Sequence, residues 1–527
     1  MHTNSVIIKK VTAFFLWLNF YFEHSFIFKC LNAVKRASRT SHIVNEFKST
    51  DYRDYFTGSI IMRVLGFVFG GIFAAVGWLF RLFCRLNEGS LNKRFVQAII
   101  NSKTVQTCFP VRLARSAGLS LLKVSYMIFI FGALMVPSHL WNNMLILLSA
   151  VFFAGVCALK FFMSGEKLDF KNISPALVLF VFFCILSIFT GYGGMDSVRV
   201  FIIFFACVIH SVLVSIIFKE KNDFRMMFIF MAFMLVFVSL FGFYQMIMGI
   251  EIRAELTDLG VNPGLSRLYS TMGNPNNDAQ VWAMLLPFVI AAAITVKSDF
   301  TRLILIGAIF IALAALGLTY SRAGYVALAA GMGVFILMTA PRLVPIAIVA
   351  LLLAIPFIPA AILDRLFTLG QDTSSQYRFL IWGGVMRMLE DFWVQGIGMG
   401  PAAFIRIYRS YAHPLAERAL HSHNTFLDII SHSGIGALLA FLVYLFRLFK
   451  RGISSHISSR DIDMKIYIAA GIASLTVFIA FGVGEYVWFL PRVMLVFWAI
   501  AGMVISMASM DSMDSMASMP AMENVEN

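Results

Sequence analysis

Apolar runs of about 20 residues recur along most of this chain, each long enough to cross a hydrocarbon layer about 30 Å thick as a helix. Nothing constrains the fold more. Without water in that layer, every backbone N–H and C=O must be satisfied within the structure, and continuous apolar runs of this length select helices over barrel strands. About twelve such windows can be marked, over residues 121–138, 143–163, 174–192, 198–218, 226–249, 281–297, 302–319, 323–340, 343–361, 425–449, 466–483 and 488–506. Hydrophobic side chains make up 60% of the chain and charged ones 13%, which excludes a soluble globular protein. The expected fold is all-α and polytopic, in a membrane.

The net charge of +14 does not point to nucleic acid, because Lys and Arg sit in short loops between apolar runs, where they report topology. Lys123, Lys160, Lys167, Lys171, Lys219, Lys221, Lys297, Lys450 and Lys465 fall in alternate loops. Those loops, and both termini with them, are expected on the cytoplasmic side of the cell membrane. The remaining loops are then external, and they contain arginine but no lysine. Outward arginines such as Arg322, Arg378, Arg387, Arg406, Arg409 and Arg418 work against the positive-inside bias. A planar guanidinium fork suits bidentate phosphate recognition, which makes the outer face the anion-handling side. The plainer alternative is pairing with lipid headgroups or with Asp372, Glu390, Asp391 and Glu417.

Three regions follow. Residues 1–118 are rich in Lys and Arg with modest apolar runs, including a candidate helix from Ile60 to Phe80, and are expected as interfacial amphipathic helices on the cytoplasmic surface. Residues 119–506 form the transmembrane domain, with one long external loop at 362–424. Within that loop Ser375 to Leu389 reads as a helix with Tyr377, Leu380, Ile381, Val385 and Met388 on one face, capped from Asp372, Thr373 or Ser374 and lying on the bilayer surface. Residues 507–527 form a Met, Ser, Ala and Asp tail expected to be disordered. The cysteines, at positions 30, 84, 108, 157, 184 and 207, form no C-x-x-C pair and suggest neither disulfides nor zinc. No secretory signal peptide is evident, since Glu23 and His24 interrupt the apolar stretch near Phe14 to Phe22.

Chemistry gathers in three outward constellations. Thr319-Tyr320-Ser321-Arg322-Ala323-Gly324 puts Arg322 at the outer rim between two spans, as a functional cation or a snorkelling anchor. Arg378 and Trp382, four residues apart on the loop helix, share a face and can present a cation beside an aromatic ring. His421-Ser422-His423-Asn424 closes the long loop, and histidine is the side chain best suited to take a hydroxyl proton near neutral pH. A metal on the two histidines would need Asp428 and Glu485 as further ligands, without the acidic cluster that hard cations require. No metal or cofactor is therefore expected. Gly273-Asn274-Pro275-Asn276-Asn277-Asp278 is an external turn that can shape the entrance, bind sugar hydroxyls or simply serve the turn.

Taken in order, T-Y-S-R-A-G ending at Gly324, Y-R-F-L-I-W-G-G from Tyr377, G-I-G-M-G from Gly396 and H-S-H-N-T-F-L from His421 resemble the O-antigen ligase and polymerase family of membrane glycosyltransferases, over roughly residues 120–506. The resemblance implies a GT-C-like helical architecture. It also implies a metal-independent, inverting transfer of a saccharide from undecaprenyl pyrophosphate to an acceptor hydroxyl at the outer membrane face, in cell-surface polysaccharide biosynthesis. The acceptor would be a glycan, a lipid or a protein, and ligase and polymerase are not separated. By resemblance Arg322 and Arg378 bind the donor's pyrophosphate and His423 activates the acceptor. Supporting positions are His421, Asn424, Trp382, Asn274 and Glu485, and G-I-G-M-G either brings backbone close to the glycan or forms a flexible turn. The rival from another class is a transporter or flippase of the same lipid-linked sugars, which would need charges or broken helices near the midplane. His432 and Asp428 are the main polar residues placed for that.

Overall fold

The computed structural model describes residues 102–164, 173–250, 267–357, 373–485 and 490–517, with scattered positions between 67 and 98 and at 363 and 488. All regular structure among these residues is helical. After two short helices, Lys103–Thr107 and Phe109–Ala117, come α1 (Leu121–Met135), α2 (Met144–Ser164), α3 (Pro175–Thr190), α4 (Met195–Ile217), α5 (Lys221–Ile247), α6 (Pro275–Thr295), α7 (Asp299–Leu318), α8 (Arg322–Thr339) and α9 (Val344–Ala354). The long loop contributes α10 (Thr373–Phe392) and α11 (Pro401–Tyr408), and α12 (Thr425–Ser458), α13 (Ile462–Gly482) and α14 (Pro491–Ala517) complete the chain.

Among the described residues nine helices are long and apolar enough to cross a membrane: α2, α4 to α8 and α12 to α14. α1, α3 and Pro341–Ala350, which leads into α9, are apolar but shorter. Each expected window falls on one of these helices. α6 and α14 are buried almost throughout, with Trp282 and Trp498 fully enclosed, while α2, α7 and α8 leave most of their surface outside the bundle. Val151, Phe189, Phe310 and Leu353 are exposed. In water such a surface would drive association, whereas hydrocarbon solvates it. The protein is an integral membrane protein.

Polar caps define where the helices begin. Ser120, Ser298 and Ser321 accept from the backbone N–H three residues on, and Asn274, Asn424 and Asp461 accept from the N–H two residues on, satisfying donors that a helix start leaves open. α8 packs along α13, α4 along α14, α3 along α12, and α6 against both α7 and α13. Antiparallel succession then sorts the connections to two ends. At one end Lys123 pairs with Asp223 at 2.7 Å and Lys221 with Asp461 and Asp463, each at 2.7 Å. The opposite end carries the starts of α6, α8, α12 and α14.

α12 is broken ten residues in. Gly434 has φ 76° and ψ 174°, a conformation that L side chains rarely adopt, and a Cβ there would lie 2.0 Å from the Val394 carbonyl oxygen. The G-I-G-M-G segment seats against this break: Ile397 N–H donates to Ser431 O at 2.8 Å and Gly398 N–H to His432 O at 3.1 Å, while Ile435 N–H donates to Trp393 O at 2.8 Å. The segment is therefore neither a flexible turn nor a free backbone surface. It satisfies carbonyls that the broken helix would otherwise leave open at membrane depth.

α10 extends the expected loop helix at both ends, and its apolar face is used differently from the expectation of a helix lying on the bilayer. Ile381, Val385 and Met388 are fully buried in a small second core with Ile397, Phe404 and Tyr408. Packing against α11, the following loop and the start of α12 covers that face. Asp372 and most of 358–372 lie outside the described residues, as do most of the expected interfacial region 1–118 and residues 518–527 of the expected tail. α14 runs past the expected boundary at 506 to Ala517. Met and Ala are strong helix formers, a local preference distinct from the lack of bulky packing side chains that marks this stretch in composition.

Candidate active site

Three connections at the end opposite the lysine pairs build one cluster. The first is the turn into α12. Its cap residue Asn424 accepts from Phe426 N–H at 2.9 Å and Leu427 N–H at 3.1 Å, and its Nδ2 donates to Val483 O at 2.8 Å. Ser422 donates from both backbone N–H and Oγ to Asp428 Oδ1, at 3.1 and 2.7 Å. Between these two anchors His423 is held with φ 51°, a left-handed conformation uncommon for a residue with a side chain and a mark of a constrained position.

α10 supplies the second part. Arg378 forms an ion pair with Glu485, and Trp382, one turn later, donates from Nε1 to Ser422 O at 2.9 Å. The two side chains do share a face, as their spacing predicts, yet each engages its own polar partner at the α12 turn and the α13–α14 connection.

Glu485, between α13 and α14, is the third part and the meeting point. Its side chain is 8% exposed; Oε1 receives Arg378 and the Asn276 Nδ2 donor at 2.8 Å, and Oε2 lies 3.5 Å from His423 Nδ1. Burial alone would raise its pKa, but Arg378, His423 and Arg267 outweigh that and hold the carboxyl below the usual range. His421 sits beside His423 with ring centroids 4.1 Å apart. Burial, reinforced by His423, His432 and Arg378, pushes His421 down to about 2, so this ring stays neutral near pH 7.

Arg267 connects the Arg322 turn to this cluster. Its Nε donates to Thr319 O at 2.8 Å and its guanidinium also donates to Asn276 Oδ1 at 2.8 Å. The segment holding it is folded onto α6 by Asp278, which accepts from Ser270 N–H at 2.8 Å. Arg322 itself opens α8, half-buried, immediately after the left-handed Tyr320 and the Ser321 cap.

The structure thus brings Arg378, His423 and Glu485 into direct apposition, with His421 and Trp382 touching the same turn and Arg322 on the adjoining one. Asn274 and Asn424 serve as helix caps. Arg387 and Arg406 donate to the backbone carbonyls of Tyr411 and Tyr192, a structural use of two of the loop arginines. Asp428 is occupied by Ser422 and Glu485 by Arg378 and Asn276, and among the described residues no group of three or more His, Cys, Asp or Glu could hold a metal ion. Arg267 is the member that sequence reasoning did not single out, and Asn276 was named only as part of the 273–278 turn. Arg267 meets the same criterion as the others, an arginine in a lysine-free loop.

A sequence family described as O-antigen ligase matches residues 307–442. That segment is similar to the O-antigen ligase family. It contains Arg322, Arg378, His421 and His423, so the matched segment and the geometric cluster overlap. Arg267, Asn276 and Glu485 complete the site from outside the matched stretch. No curated protein matches the chain. The match to this family supports ligase- or polymerase-type chemistry in polysaccharide biosynthesis.

Proposed function

We propose that this protein is a membrane glycosyltransferase that moves a saccharide from an undecaprenyl-pyrophosphate donor to an acceptor hydroxyl at the outer face of the cell membrane, as a ligase or polymerase. The observation that carries this reading is the convergence of Arg378 and His423 on one buried carboxylate, Glu485. A cation able to take phosphate and a base able to take a proton stand within one side chain of each other.

The acceptor oxygen attacks the anomeric carbon as the bond to the pyrophosphate oxygen breaks, and the electron pair leaves on the phosphate. A single displacement of this kind inverts the anomeric centre. Arg378 and Arg322 offset the charge that grows on the leaving group, where electrostatic stabilisation has most effect. His423 takes the acceptor proton. It suits that task better than His421, because a ring held near pKa 2 is too weakly basic to act near neutrality. With a carboxylate facing Nδ1, the neutral imidazole favours its proton there and leaves Nε2 as the accepting atom.

The break in α12 at Gly434 is the feature a transporter would share. The Ser431 and His432 carbonyls at that break are taken by Ile397 and Gly398 N–H, which favours the enzyme. The test is transfer by the purified protein from lipid-linked repeat units, with and without an acceptor. Transfer lost in both Arg378→Ala and His423→Ala supports the reading, and full transfer in both overturns it.

A further inference from the structure

We propose that Glu485 is an internal stand-in for the donor's phosphate: it occupies Arg378 in the empty site, and donor binding releases its carboxylate to His423. The proposal rests on the reading of Arg378 as a donor-phosphate ligand and adds a link between donor binding and acceptor activation.

The geometry behind it is a surplus of positive charge around one anion. Arg378 pairs with Glu485 directly, and Arg267 stands one residue away through Asn276. Arg378 is 20% exposed and Glu485 8%. A guanidinium this enclosed needs an anion, because a largely buried charge left unpaired is strongly unfavourable. Glu485 meets that need in the empty site. A pyrophosphate carries more charge and more acceptor oxygens than a carboxylate and fits the guanidinium fork at least as well. On arrival it takes Arg378 over.

Glu485 is then a buried carboxylate with one fewer cation. Asn276 still donates to Oε1, and the ring facing the other oxygen is His423, whose Nδ1 lies 3.5 Å from Oε2. That separation is just beyond hydrogen-bond length, and a closure of a few tenths of an ångström makes the bond. An imidazole with Nδ1–H on a carboxylate is fixed in orientation, and the imidazolium formed on taking the acceptor proton is stabilised. Before the donor arrives, Arg378 draws on the same carboxylate and the base is poorly supported. Proton removal from an acceptor is thereby tied to the presence of a donor, and a hydroxyl is not activated in its absence. Glu485 acts through His423 and Arg378 and is a positioning residue.

A carboxylate with a purely structural role and one that competes with phosphate predict opposite effects of neutralisation. The probe is inorganic pyrophosphate, titrated into the full-length protein in detergent, alongside turnover with lipid-linked donor. Glu485→Gln removes the competing charge, so pyrophosphate should bind roughly 5- to 10-fold tighter while turnover falls about 10²-fold, the loss expected when a general base loses its support. Glu485→Ser, neutral and smaller, should show the same opposed pair of changes if the Gln variant does not fold. Pyrophosphate bound no more tightly by either variant overturns the proposal. Arg378→Ala separates the two levels. If it abolishes pyrophosphate binding while Glu485→Gln does not tighten it, the stand-in role alone fails; if it leaves binding unchanged, the donor-binding reading fails too.

Discussion

The indole of Trp382 donates to the carbonyl oxygen of Ser422 over 2.9 Å, which ties the helix carrying Arg378 to the turn carrying His423. Trp382→Phe keeps the ring and removes the donor, leaving the Ser422 carbonyl short of a partner at a cost of about 1–3 kcal/mol. Turnover should fall while pyrophosphate affinity stays near wild type, because Arg378 and Glu485 are untouched. Unchanged turnover would show that the two elements hold their register without this bond.

Arg378→Lys should lose most of its transfer activity although the charge is kept. An ammonium cannot reproduce the planar fork for a diphosphate. The same is expected of Arg322→Lys. Transfer rates at matched protein levels check both, and full activity in both Lys variants would leave pyrophosphate without its proposed ligands.

His423→Ala should lower transfer by about 10²- to 10⁴-fold with donor binding nearly intact, and His421→Ala should be milder. Transfer should persist in the presence of chelator; a reaction stopped by chelator and restored by a divalent cation would make the two histidines metal ligands instead. His421 also makes a prediction about acid. Its folded pKa, near 2, lies below the ordinary value of about 6.5. The unfolded chain therefore binds the proton first as pH falls, and the stability is full above about 6.5 and lost progressively towards 2. Melting in detergent from pH 7 to 5 should show a smaller acid loss in His421→Gln than in wild type.

The lysine-bearing ends of α1, α5 and α13 and the Arg378–His423 cluster lie at opposite ends of the bundle. The cluster is expected outside. In a cysteine-free background, Glu417→Cys, on the exposed part of the long loop, should react with an impermeant thiol reagent in intact cells. A cysteine placed at Lys219 should react only after permeabilisation, and the reverse pattern would invert the orientation.

The sequence by itself determined the helices and the chemistry on offer. Apolar runs of membrane-spanning length leave the backbone few other ways to satisfy itself, and every expected window overlaps a helix, nine of them long enough to span among the described residues. The caps at Ser321, Asn274 and Asn424 came from the structure, although capping is local and each is a favoured cap residue. Arg322, Arg378 and His423 stood out because arginine without lysine in outward loops, and histidine beside a span, are departures from plain topology. What only the tertiary structure decided was convergence. Arg267 and Asn276 come from the entry to α6, Arg378 and His423 from two ends of the long loop, and Glu485 from the α13–α14 connection, and nothing local brings Glu485 to residue 378. That follows from α13 and α14 meeting α12 and α6 at one end of the bundle. The use of G-I-G-M-G was equally hidden, because a glycine pattern shows which backbone conformations are allowed and not which carbonyls need donors. The break at Gly434 supplies that need, and it becomes visible only once the loop and α12 are packed together.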